Sequence, residues 1–369
     1  MNLIEVVRCC QDSRGEDEMC DDSDWQSLIG QAIENEASDI HMTVGQRPHM
    51  RCQGILSAMD KAPLTESFMS EFGSVIMNEP QKERLARERE IDLSWTYAKR
   101  RFRVHAYYQQ GFLALALRLL PERIPTLAEL GVPAAWQKIK ELDQGLVLVT
   151  GRTGSGKTTT LAAFIEELNQ EKSYHVVTLE DPIEYVFQPD RCFISQRELG
   201  RDFHDFAAAL RGALREMPDL ILVGEIRDRE TMATALMAAS AGMLVLGTLH
   251  SASAAEAILR VEGLFPLEER ASVRSLLAEV LRGIFAQRLV PSVGGGRAGL
   301  VEVLLANSAS KSLIRQGKYG QLSSVMLSGQ EQGMQPFSAA VQKLRQAGRI
   351  DASVFADLTS QFQADGGRL

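Results

Sequence analysis

The spacing of apolar residues divides the chain into two regimes. In the first, Trp25, Leu28, Ile29, Ala32 and Ile33 recur at helical intervals, and Ile40, Met42 and Val44 alternate as in a half-buried strand. Phe68, Phe72, Val75, Ile76 and Leu85 return to helical spacing. Strands are predicted over 91–97 and 101–110, around a short basic turn, and over 112–119. Along the second of these, Phe102, Val104, Ala106 and Tyr108 share one face, while Arg101, Arg103, His105 and Tyr107 share the other. This mixture predicts an α+β domain over residues 23–120. Pro121, Pro125 and Pro133 then interrupt regular structure, which predicts a linker over 121–133.

In the second regime, from Leu142, apolar runs alternate with helical stretches. Strands are predicted at 145–150, 175–180, 219–224 and 243–249, and helices at 156–169, 203–216, 229–240 and 252–263. Such alternation implies a parallel sheet with helices on both faces, so residues 134–369 read as an α/β domain. Ligands of such sheets sit at the carboxyl ends of the strands. Beyond residue 266 the pattern turns mainly helical, interrupted by a hairpin over 284–290 and 300–304 joined through Gly294-Gly295-Gly296.

Charge alters this picture mainly at one end. The net charge is −8, and Glu5, Asp12, Glu16, Asp17, Glu18, Asp21, Asp22 and Asp24 face only Arg8 and Arg14 in the first 24 residues. Residues 1–22 therefore read as a loose acidic tail, with one short helix at 3–7. The remainder is nearly neutral and lacks the basic field that draws nucleic acid, so no direct nucleic-acid partner is expected. No run of about 18 apolar residues is present to span a bilayer. The first 20 residues have no apolar core of signal-peptide type. Five cysteines are scattered without a C-x-x-C pair, which suggests neither a zinc site nor a disulfide framework. A cytoplasmic location is the expectation.

Candidate chemistry falls where the strands end. The run Gly145–Thr150 leads into Gly151-Arg152-Thr153-Gly154-Ser155-Gly156-Lys157-Thr158-Thr159, a phosphate-binding loop. Its glycines permit a tight turn with N–H groups pointing inward at phosphate oxygens. Arg152, Thr153, Gly154, Ser155, Gly156, Lys157, Thr158 and Thr159 are the candidate nucleotide-binding residues. Lys157 suits the β and γ phosphates, and the Thr158 hydroxyl suits Mg²⁺. ATP and Mg²⁺ are the expected ligands.

Three further strand ends carry polar groups. Leu220–Val223 runs into Gly224-Glu225, where phosphate-loop proteins more often place an aspartate that holds Mg²⁺ through water. Glu225 is long enough to orient or deprotonate a water attacking the γ-phosphate. Glu180, Asp181 and Glu184 form a second acidic cluster, with two tasks open to it: holding the metal or holding that water. His250 closes a third strand end and is a candidate γ-phosphate contact. An arginine supplied in trans raises phosphoryl-transfer rates by about 10³–10⁵. Arg101, Arg103 and Arg118 are the candidates in the first domain, and Arg211, Arg215 and Arg227 are alternatives in the second.

Taken in order, these motifs resemble the secretion-ATPase superfamily, and within it the type IV pilus retraction ATPases of the PilT/PilU family. The resemblance covers roughly residues 24–345. It includes Ala37-Ser38-Asp39-Ile40-His41, the Pro121–Pro125 segment, the phosphate loop and Glu180-Asp181-Pro182-Ile183-Glu184. It continues through Gln196-Arg197-Glu198-Leu199-Gly200, Val223-Gly224-Glu225-Ile226-Arg227-Asp228 and Gly247-Thr248-Leu249-His250. The resemblance implies a RecA-like P-loop ATPase C-terminal domain with a smaller PAS-like N-terminal domain. It implies a homohexamer that binds ATP between subunits, with Glu225 catalytic and Glu184 supporting it. Arg101, Arg103 and Arg118 would reach the nucleotide from the N-terminal domain. Domain rotation would turn a PilC-like platform protein of the inner membrane, placing the chain peripherally at that membrane's inner face. A paralogous ATPase is a further partner it allows.

The sequence departs from the family at its C-terminal signature, where only Leu313, Ile314 and Arg315 remain and Gln316 replaces the terminal acid. Met217-Pro218-Asp219 stands where Asp-Pro-Asp is usual. An accessory or low-activity PilU-like paralogue is therefore an alternative reading, and a RecA- or helicase-like nucleic-acid motor is another.

Overall fold

A computed structural model describes residues 25–364. The acidic tail and the short helix expected at 3–7 lie outside the described residues. The chain divides into two units between Leu120 and Pro121.

The first unit is built on six antiparallel strands: β1 (Asp39–Thr43), β2 (His49–Cys52), β3 (Ile55–Ala58), β4 (Glu90–Tyr97), β5 (Arg100–Gln109) and β6 (Phe112–Leu119). Their spatial order is β3-β2-β1-β6-β5-β4. Helices Trp25–Glu34, Glu66–Ile76 and Glu79–Glu88 complete it. Thr65 caps the second helix by accepting from Phe68 N–H, and Asn78 with Gln81 forms a reciprocal capping box on the third. Phe102, Val104 and Ala106 of β5 are buried together with Ile40, Met42, Leu115, Leu117 and Phe72. The predicted alternation along β5 is therefore realised from Phe102 to Ala106, whereas Tyr108, near the strand's end, is exposed. Sequence reading did not identify β2 and β3, because β3 is exposed along its whole length and β2 is only half-buried.

The opposite face of this sheet is polar. Across one row the register aligns Arg51, Asp39, Arg118, Arg103 and Ser94 on five successive strands. Arg118 Nε donates to Asp39 Oδ1 at 3.0 Å, and Arg51 Nε lies 3.7 Å from Asp39 Oδ2. Arg118 and Arg103 are directly opposed, an arrangement of like charges that weakens a sheet.

The second unit holds seven strands: β7 (Gly145–Thr150), β8 (His175–Glu180), β9 (Phe193–Glu198), β10 (Leu220–Val223), β11 (Leu244–Leu249), β12 (Leu281–Pro291) and β13 (Arg297–Leu305). The order is β13-β12-β7-β11-β10-β8-β9, parallel throughout except for the β12–β13 pair. The four predicted strands form its centre. Each is almost wholly buried, as an unalternating apolar run requires in a sheet covered on both faces. The predicted hairpin is present, and its first strand extends the sheet beside β7.

Helix boundaries follow the caps. The helix expected over 203–216 begins at Phe206, because Asp205 caps it, and its end tightens into a 3₁₀ turn at Leu214–Glu216. The one expected from 252 begins at Ala254, capped by Ser253. The stretch expected as a linker contains one helical turn, Leu127–Leu130, fixed by a Thr126–Glu129 capping box. Just beyond, Trp136 is buried and stacks on Phe285 with ring centroids 4.2 Å apart. No helix among the described residues is long and apolar enough to cross a membrane.

Candidate functional site

β7 aims the phosphate loop. Gly151, Gly154 and Gly156 all have positive φ, and Gly156 sits immediately before the helix Lys157–Glu171. Glycine is required at 151 for two reasons. Its φ is 152°, and a Cβ there would stand 2.4 Å from Gln287 O and 2.5 Å from Ser155 Oγ. The loop therefore closes tightly against β12 while its far side faces the start of the helix. That combination of inward N–H groups and a helix N-terminus suits an anion.

Lys157 is buried at the head of this helix. Its Nζ donates to Gly151 O at 2.8 Å and to Arg152 O at 3.2 Å, so the ammonium lies over the loop. Burial pulls it below the usual lysine range, while Glu225 and Glu184 act in the opposite sense. Both carboxylates are thus close enough to be felt by the phosphate-binding lysine. Among the described residues, the buried Ser155 Oγ has no hydrogen-bond partner, and a buried hydroxyl without one is costly. The loop's orphaned hydroxyl, parked lysine and glycine cradle fit a nucleotide phosphate chain.

Glu225 follows Gly224 at the end of β10. The glycine has a steric cause: a Cβ at 224 would lie 2.9 Å from Leu179 O and 3.2 Å from Glu180 Cα. Gly224 N–H also donates to Leu179 O at 2.7 Å, and Gly224 O accepts from the Thr248 hydroxyl. The ends of β8, β10 and β11 are too close for an acid at 224, and the carboxylate moves one residue on.

Both oxygens of Glu225 are engaged. Arg227 Nη2 donates to Oε2 at 2.7 Å, and His250 Nε2 lies 3.2 Å from Oε1. The Arg227 hydrogen bond, against the opposing effect of burial and with help from His250, holds this carboxyl below the usual glutamate range. Arg227 also stands 4.0 Å from Asp181 Oδ2. The structure thus gathers Glu225, His250, Arg227 and Asp181 from three adjacent strand ends.

The acidic box is braced by β9, which sequence reading did not identify as a strand. Glu198 Oε2 accepts from Ile183 N–H at 3.1 Å. Gln196 accepts from Phe187 N–H at 2.9 Å and donates to Tyr185 O at 2.8 Å. Tyr185 Oη donates to Thr159 Oγ1 at 3.2 Å, tying the box to the phosphate-loop helix. Glu184 lies in sequence between the anchored Ile183 and Tyr185. The buried Glu180 carboxylate accepts from Thr178 Oγ1 at 2.7 Å and Gln196 Nε2 at 3.2 Å. The Asp181–Pro182 peptide is cis.

Arg101, Arg103 and Arg118 belong to the first unit, on its polar sheet face. Arg101 Nη2 donates to Ser94 Oγ at 3.1 Å. Arg118 is paired with Asp39. Arg211 stands 3.9 Å from Glu230, and Arg215 donates to Arg211 O at 3.1 Å. Sequence reading weighed Arg227 only as a trans arginine and missed Gln196, Glu198, Tyr185 and Gln287. In the sequence Gln196 and Glu198 stand out only as part of a family motif. Gln287 carried no signal, since only the sheet order brings it to Gly151.

The type II/IV secretion system protein family model matches residues 16–298. The type IV pilus retraction ATPase PilT of Pseudomonas aeruginosa is 40% identical over 328 residues, covering 89% of this chain and 95% of its own. The type IV pilus ATPase PilU of the same organism is 38% identical over 345 residues, covering 92% and 90%. A crystal structure of the pilus retraction motor PilT with bound ADP is 41% identical. It superposes with a TM-score of 0.85 over 90% of this chain and 96% of that one.

Proposed function

The chain belongs to the type II/IV secretion system protein family, within the group of the pilus ATPases PilT and PilU, and on this premise we propose that it is a hexameric, Mg²⁺-dependent ATPase that powers type IV pilus retraction. The observation that carries the proposal is the placement of Glu225 at a parallel strand end, held by His250 and electrostatically coupled to Lys157 of the phosphate loop.

In this reading the N–H groups of Arg152, Thr153, Gly154, Ser155 and Gly156 wrap the phosphates, with Thr159 completing the loop. Lys157 leaves the carbonyls of Gly151 and Arg152 and binds the β and γ phosphates. Thr158 holds the metal, with Asp181 and Glu180 behind it. Mg²⁺, when bound, neutralises phosphate charge and polarises the γ-phosphoryl group. Glu225 accepts a proton from the attacking water, Glu184 orients that water, and His250 contacts the γ-phosphate. Arg101, Arg103 and Arg118 act in trans, from the first unit of a neighbouring subunit. Arg103 suits this task because, among the described residues, its side chain has no hydrogen-bond or ion-pair partner and it faces Arg118 directly.

The domains we assign are an acidic tail over 1–22, a PAS-like domain over 23–120, a linker over 121–133 and a RecA-like ATPase over 134–369. Rotation of one domain against the other would act on a PilC-like platform protein at the cytoplasmic face of the inner membrane. The replacement of the terminal acid by Gln316 favours an accessory, PilU-like role as the second reading. Deletion in the source organism separates the two. A principal retraction motor leaves more surface pili and no twitching, restored by the native chain but not by Glu225→Gln. An accessory motor leaves twitching weakened but present. Unchanged piliation and motility would contradict both.

A further inference from the structure

The segment after β11 is gripped from behind by two residues of the β12–β13 hairpin. Arg288 Nη2 donates to Ala252 O at 3.4 Å. Its guanidinium also lies over the rings of Phe337 and Phe362, 4.7 and 5.2 Å from their centroids, and those rings stack on each other at 5.4 Å. Glu302 is buried and accepts from Ala254 N–H at 2.8 Å, and the backbone N–H of Phe337 is near enough to favour its charged form. Ala254 opens the helix Ala254–Gly263, and Phe337 opens the helix Phe337–Gln346. One carboxylate therefore holds the first N–H of one helix and faces the N-terminus of another, positions where negative charge is favoured.

Arg288 joins two bodies, and Glu302 lies between the same two. On one side is segment 252–254, which follows His250. On the other is the C-terminal helix pair, Phe337–Gln346 and Ala352–Ala364. The neighbouring Gln287 donates to Thr160 Oγ1 of the phosphate-loop helix at 2.8 Å. Adjacent positions of β12 thus touch both sides of the site. A route of direct contacts runs from Phe362 through Arg288 to Ala252, two residues from His250, and His250 meets Glu225. Glu302 lies beyond residue 298, where the family model ends.

We propose that Arg288 and Glu302 are positioning residues through which the C-terminal helix pair sets the place of His250, and with it the carboxylate of Glu225. The proposal rests on the reading of Glu225 and His250 as site residues, but the clasp can be tested without turnover. Amide hydrogen exchange on the nucleotide-free full chain is the first measurement. Arg288→Met should accelerate exchange across residues 251–254 by about tenfold or more, since it removes a charge-assisted hydrogen bond, and Glu302→Gln, which keeps a neutral acceptor, should do so by less. Exchange across β7 should stay unchanged. If Glu302→Gln does not fold, Arg288→Met alone decides. Native exchange at 251–254 in the folded variants overturns the clasp, whether or not the chain hydrolyses ATP. The second measurement tests the route. Arg288→Met should lower kcat about tenfold with KM within about twofold, and should add no further loss in a His250→Ala background. Independent, multiplicative losses would overturn the route through His250.

Discussion

Glu225 is held by Arg227 on one oxygen and His250 on the other, and this arrangement has a consequence for its basicity. Arg227 contributes most to holding the carboxyl below its usual range. Removing the guanidinium lets that value rise, so a larger share of Glu225 is protonated at mildly acid pH. For Arg227→Ala we therefore expect the acid limb of the kcat/KM profile to move to higher pH. His250→Ala should move it the same way by less. An unmoved limb in Arg227→Ala would show that Glu225 does not set it. At this scale the sequence was informative wherever spacing is fixed by local chemistry. Gly151 to Thr158 and the pair Gly224-Glu225 are examples. It was uninformative about Gln196, Glu198 and Tyr185, whose work depends on hydrogen bonds to residues distant in sequence.

Among the elements, the buried central strands were legible because full burial demands continuous apolar runs. β9 was not, since its pattern FISQRE is half-buried and polar at the edge of the sheet. β3 is exposed throughout and left no periodic trace. The β12–β13 hairpin was legible as a hairpin, but its place beside β7 and its buried Glu302 were not. Burial pushes that carboxyl from 4.5 up to about 7, with Arg288 opposing the rise and Glu256 adding to it. Between those values the folded chain holds more protons than the unfolded chain, so stability falls as pH rises through the window. Glu302→Gln removes this dependence. Relative to the native chain, the variant should gain about 2 to 3 kcal/mol between about pH 5 and about pH 8. Urea unfolding of both proteins at the two pH values checks it. A constant difference would place the Glu302 titration outside the window.

At the scale of the whole molecule, the two units divide the proposed chemistry between them. The phosphate loop and Glu225 lie in the second unit, and the arginine row lies in the first. If Arg103 acts in trans, Glu225→Gln and Arg103→Ala should each be inactive alone yet recover turnover when mixed, since some interfaces then carry both native groups. No recovery from a mixture shown to exchange subunits would contradict the trans assignment. If this chain hydrolyses ATP, Glu225 handles the attacking water. The most direct test of that role is ATP affinity and phosphate release measured side by side for the native chain and Glu225→Gln in the presence of Mg²⁺. Glu225→Gln should bind ATP with equal affinity and lose turnover by about 10²–10⁴. Turnover within a few-fold of native, at equal affinity, would contradict it.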